Sequence, residues 1–157
     1  MTDQRIRVRT EKTHKTLYSE LKQLNLGDAH TVFFIAVCIG HEARQRQKIA
    51  ARDDRFWGDT ITHDEWAVYK TIFLDEEKYD LRFINDHEAI IRSMEEYANG
   101  GINIIIDNIP CFDKHEDGEV IIKHSERDNV LNRLLAFIFD RIPQTTAMEC
   151  DDENSTD

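Results

Sequence analysis

The residues Val32 to Ile39, VFFIAVCI, are apolar without a break. As a helix this stretch is hydrophobic all round rather than along one stripe, and such a helix is stable only when other elements enclose it. The chain must therefore fold around it. The run is too short to cross a bilayer, which takes about 20 apolar residues, so no membrane role is expected. A length of 157 residues suits one domain, able to bury a core without disulfides or a structural metal. The amino terminus lacks the apolar core of a signal peptide, and the expected location is cytoplasmic. Cys38, Cys111 and Cys150 are far apart and odd in number, which suggests neither a disulfide framework nor a paired-cysteine zinc site. Cys38, within the apolar run, reads as a small core residue.

Periodicity predicts a mainly α fold: a single helical domain, residues 1–143, of about six helices with a short N-terminal strand. Residues 5–9, RIRVR, alternate with period two, so a strand there puts Ile6 and Val8 on one face and Arg5, Arg7 and Arg9 on the other. A helix is expected over 11–25 with Leu17, Leu21 and Leu24 as its stripe and Gly27 in the turn that ends it. A second helix runs from near Asp28 to about Lys48, its apolar half buried and its basic half, ARQRQK, projecting. A loop packed through Phe56 and Trp57 is expected over 49–61. Thr62 and Glu65 form a capping box for a helix through about Phe73. Residues 81–84 suit a short helical turn. Helices follow over 86–98 and along INIIIDNI, separated by Asn99-Gly100-Gly101 as a turn. Val120 to Lys123 reads as a short strand. A last helix is expected to bury Leu131, Leu134, Leu135, Ile138 and Phe139. The tail, residues 144–157, has five acidic residues and no basic or aromatic one, the composition of a disordered segment.

Charge is divided along the chain. Residues 1–55 carry eleven Lys and Arg against seven Asp and Glu, net +4; residues 56–157 carry nine against twenty-four, net −15, which together give the formal −11. A basic section in an acidic protein points either to a defined anionic partner or to two solvated faces. Residues 5–48, strand, helix, glycine turn and helix, follow the order of a ribbon-helix-helix DNA-binding unit. There two chains pair their strands and outward side chains enter the major groove. On that reading Arg5, Arg7 and Arg9 face bases, and Lys12 and Lys15 hold phosphates, joined by Arg44, Arg46 and Lys48. An unpaired strand edge also gives the chain a route to a homodimer. Against the DNA reading, Asp28 at the start of the second helix repels phosphate. The alternative is an edge strand whose arginines pair with the acidic half of the same protein.

Catalytic patterns are missing. The pairs His41-Glu42, His63-Asp64, His87-Glu88 and His115-Glu116 lack the i, i+4 spacing of a metalloprotease helix and read as surface residues. There is no nucleophile elbow, phosphate-binding glycine loop or dinucleotide fingerprint, and Asp75-Glu76-Glu77 lacks calcium-loop spacing. No catalytic residue, metal ligand or cofactor is assigned.

Four segments, RIRVRTEKTHK at 5–15, VFFIAVCIG at 32–40, TIFLDEEKYDLRFI at 71–84 and MEEYANGGINII at 94–105, resemble the DNA phosphorothioation-associated protein 4 family. Its members are small proteins encoded beside bacterial DNA sulfur-modification and restriction genes that defend against phage. The resemblance covers most of residues 5–109, and Glu95, Glu96, Tyr97, Asn99, Gly100 and Gly101 match its most distinctive motif. It implies a non-enzymatic accessory role near DNA or a DNA-processing complex, with DNA or protein components of a modification or restriction complex as partners. It supplies no catalytic residues. The rivals are a protein adaptor or regulator whose acidic half imitates nucleic acid, and a metal-dependent nuclease.

Overall fold

The computed structural model describes residues 5–142. The expected tail, 144–157, lies outside them. Among the described residues there are five α-helices and two small antiparallel sheets. In chain order these are β1 (Arg7–Glu11), α1 (Lys15–Gln23), α2 (Ala29–Glu42), β2 (Arg52–Trp57), α3 (His63–Glu76), α4 (His87–Asn108), β3 (Phe112–Lys114), β4 (Val120–Ile122) and α5 (Val130–Arg141). The mainly α reading holds. No helix among the described residues is long and apolar enough to cross a membrane.

The apolar run is enclosed as its composition requires. Phe33, Ala36 and Val37 are wholly inaccessible, and every residue from Val32 to Ile39 is buried or half-buried, Cys38 among the latter. Phe33 makes edge-on contacts with Phe56 of β2 and Tyr69 of α3, at centroid distances of 5.3 and 6.1 Å. Its main neighbour is α4, which lies against it through small residues. A Cβ at Gly101 would stand 1.8 Å from the Ala36 carbonyl oxygen, and one at Gly40 would stand 2.1 Å from that of Tyr97. The two backbones therefore touch, and any larger residue at these points would force them apart.

This contact corrects the expected turn at Asn99-Gly100-Gly101. Helix α4 runs through it without interruption, and two expected helices become one of 22 residues. The glycines serve close approach rather than chain reversal. A second correction concerns α2, which ends at Glu42 and not near Lys48. Arg44 takes a left-handed conformation at φ 53°, Arg44 N–H donates to His41 O at 3.0 Å and Gln45 N–H to Gly40 O at 2.8 Å. These are the two bonds of a Schellman cap, usually built on glycine. Asn25 and Lys78, at φ 61° and 52°, close α1 and α3 in the same way.

The 49–61 stretch holds β2 rather than loop alone. It pairs with β1 in the register Arg7↔Trp57, Val8↔Phe56, Arg9↔Asp54, Thr10↔Asp53 and Glu11↔Arg52, with Arg55 as the extra residue of a bulge. The Thr62–Glu65 capping box is present, and Leu81–Phe83 forms a single 3-10 turn. Residues 120–122 form a strand as expected, paired with the unexpected β3. In α5 only Val130 and Leu134 are buried; Leu135 and Phe139, expected inside, are exposed.

Between β1 and α1, His14 is buried at 4% exposure, and burial lowers its pKa from 6.5 to about 4 despite the nearby Glu11 carboxylate. A depressed folded pKa stabilises above the unfolded value and loses that contribution as pH falls. The free energy of urea unfolding should thus drop by up to about 3 kcal/mol between pH 6.5 and 4 from this group. His14→Leu should flatten that part of the profile; an unchanged slope would remove His14 as its source.

Candidate functional site: an arginine face and a motif cleft

Val8 and Thr10 of β1 point inward, so Arg7 and Arg9 point out with Arg5 beside them. None of the three is without a carboxylate. Arg7 and Arg9 share Asp54 at 3.2 and 3.1 Å, and Arg5 lies 3.8 Å from Asp59. The Arg7 guanidinium also lies 4.1 Å from the Trp57 ring centroid, a stacking that fixes its plane. Arg92 and Glu88 of α4 complete the wall of a cavity of about 290 Å³ lined by Arg5, Ile6, Arg7 and Arg9.

The far side of this face is anchored by Glu95, whose side chain is fully buried. Its Oε1 accepts the Arg9 backbone N–H at 2.8 Å and Arg92 Nη1–H at 3.0 Å, and Arg52 Nη1 lies 3.7 Å from Oε2. Burial raises the Glu95 pKa, while the Arg9 N–H and the two guanidiniums oppose the rise. Ile6 O and Lys12 N–H bond Gly58 N–H and Ala51 O, so alternate backbone groups of β1 face β2. The Arg9 N–H belongs to the opposite edge. That edge is met by α4, and the two-chain ribbon expected from the ribbon-helix-helix order finds β1 already paired within its own chain.

The structure disperses the remaining cations. Lys12, Lys15, Arg44 and Lys48 are exposed and form no ion pair among the described residues. Arg46 bonds Glu96 at 2.5 Å and Glu76 at 3.1 Å. Arg44 lines a different concavity, of about 510 Å³, with His41, Glu42, Asp75, Glu76 and Tyr97.

That cleft explains the EEYANGG segment. Glu96 holds Arg46, and its carbonyl accepts Gln47 N–H at 3.1 Å. The Asn99 amide donates to Gln47 O and Lys48 O at 3.3 and 3.1 Å, and Gly100 leaves room for Gln45 O. Tyr97 donates its hydroxyl to Glu76, and burial together with that carboxylate pushes its pKa up to about 12. The motif therefore straps the 45–48 connection along α4 and shapes one wall of the cleft.

Arg92, Trp57 and Asp54 escaped sequence reasoning because only the fold brings them beside β1. His63 and His87 are exposed in the first turns of α3 and α4. Instead His30, not singled out in the sequence, meets Glu65 at 3.0 Å. His115, Asp117 and Glu119 come within 4.8 Å of one another at the β3–β4 turn, exposed or half-exposed, and Glu119 also accepts the Thr16 hydroxyl. Compared with protein families, curated proteins and solved structures, the chain matches none.

Proposed function

We propose that the protein is a non-enzymatic accessory of a DNA phosphorothioation-linked anti-phage defence system, acting as a protein–protein adaptor or regulator. The setting rests on the resemblance of the 5–15, 32–40, 71–84 and 94–105 segments. The choice of adaptor over direct DNA reader rests on the pairing of Arg5, Arg7 and Arg9 with Asp59 and Asp54 of their own domain. Five arginines on this face, Arg5, Arg7, Arg9, Arg52 and Arg92, stand against four carboxylates, Asp54, Asp59, Glu88 and Glu95. Asp54 lies against the Nε of both Arg7 and Arg9 and offsets the charge that a phosphate approaching them would meet. The acidic remainder of the chain suits a basic protein partner.

Copurification from the native host tests the adaptor: a protein of the modification or restriction complex should accompany it, and recovery of the chain alone would count against it. DNA contact is kept as a second reading because the 290 Å³ cavity is lined by four arginines. The two part in an anisotropy titration at several salt concentrations, with plain and phosphorothioate DNA. The adaptor reading expects negligible wild-type binding even at low salt. Asp54→Asn, which frees two arginines, should tighten non-specific DNA binding by about 3- to 10-fold and steepen its salt dependence. Tight, salt-sensitive binding by the wild type would favour the DNA reading instead.

A further inference from the structure

Helix α5 leaves an apolar face that no described residue covers. It is anchored by buried Val130 and Leu134, by half-buried Phe137 and Ile138, and by Arg141, which donates to Glu42 at 3.1 Å. Leu131, Leu135, Phe139 and Ile142 follow one another at helical spacing on the adjoining stripe. Leu135, Phe139 and Ile142 are 53%, 64% and 57% exposed. Asn132 and Ala136 flank them, so this face carries no charge although 32% of the chain is charged.

We propose that this face is a dimer interface and that its occupant is a second copy of the chain, with the two α5 helices antiparallel. Nucleic acid or an anionic bilayer would require a cationic rim, but Arg133 and Arg141 of α5 are held by Glu126 and Glu42. Residues 143–157 bring five carboxylates and one large apolar side chain, Met148, and offer no matching stripe. In a two-fold interface residue i of one copy meets residue j of the other and the reverse, and only a residue at the axis meets its own copy, so a charge there faces a like charge. A charge-free stripe avoids that repulsion. Antiparallel packing sets Phe139 of each copy against Leu135 of the other.

Three side chains more than half exposed offer roughly 300 Å² of apolar area per copy, against about 800 Å² per partner in a stable interface. The expected dimer is therefore micromolar. Sedimentation velocity of the full chain from about 1 to about 100 µM spans that affinity. The mass should rise from 18.5 kDa toward twice that value. Phe139→Glu and Leu135→Glu, at exposed positions, should keep the wild-type circular dichroism and melting temperature. Each should raise the half-dimer concentration at least about 10-fold. A wild type that stays at 18.5 kDa throughout overturns the proposal, and so does a dimer indifferent to both substitutions. A monomer that floats with phosphatidylcholine vesicles and loses them on Phe139→Glu would give the face to a lipid surface and overturn it equally.

Discussion

Gly101→Ala is expected to destabilise the protein by about 3 kcal/mol or more, the upper end of what overpacking costs. In an ordinary helix interior the same change stabilises by up to about 1 kcal/mol, because alanine is the better helix former. The sign of the result is thus diagnostic. Here the added Cβ would lie 1.8 Å from the Ala36 carbonyl oxygen and 2.9 Å from Gly40 N. Both are backbone atoms of α2, and neither can turn aside as a side-chain tip could. Separating α2 from α4 would also loosen Val37, Met94, Ala98 and Ile102, all at most 1% exposed. Urea denaturation and thermal melting should show the loss, with a melting temperature lower by about 10 °C for a chain of this size. Gly58→Ala is the control: its Cβ would meet Ile6 O at 3.2 Å, which a small shift relieves. A Gly101→Ala protein more stable than wild type would disprove the backbone contact.

Glu95→Ala should cost about 2 to 3 kcal/mol, the penalty for leaving the Arg9 N–H without its acceptor, since the guanidiniums of Arg92 and Arg52 are exposed enough to be taken up by water. The loss falls on both elements that meet at the carboxylate. The Arg9 N–H and the Arg92 guanidinium lose their acceptor, and Arg52 loses its nearest anion. Glu95→Gln keeps an acceptor for the Arg9 N–H and should cost only about 1 to 2 kcal/mol. The raised pKa bears on this comparison. A carboxyl whose folded pKa lies above its unfolded value contributes most below the unfolded pKa, and that contribution fades as pH rises through the folded one. Glu95→Gln should therefore look worst near pH 4 and improve toward neutrality, as urea midpoints measured across that range would show. If alanine and glutamine proved equally mild, Glu95 would not be the anchor of β1.

The mainly α architecture was legible because apolar spacing and capping chemistry agree along most of the chain. Thr62 and Glu65 announced α3, and the alternation of RIRVR announced a strand whose arginines face out. The end of α2 was not legible, since the left-handed position falls on Arg44 rather than on glycine. Conversely, Gly100-Gly101 carried the usual mark of a turn, and only the presence of α2 alongside shows why glycine is needed within a helix. In β2 the bulge at Arg55 breaks the alternation that would have revealed RDDRFW as a strand. The arginine face was half legible: its own strand supplies Arg5, Arg7 and Arg9, but Asp54, Trp57 and Arg92 join only through tertiary structure. The leucine stripe of α5 shows the opposite error, since a sequence pattern cannot say whether an apolar face meets its own core or something else.

Glu95 has one more effect, on how the folded chain meets others of its kind. A strand with a bare edge is a template on which foreign strands can grow, and proteins commonly blunt such edges with charge, proline or a covering element. Here the outer edge of β1 has a carboxylate taking one of its N–H groups and a helix lying alongside. Sheet-to-sheet aggregation is thereby discouraged at the end of the molecule richest in arginine. At that edge a foreign strand would have to displace both the carboxylate and the helix before it could pair.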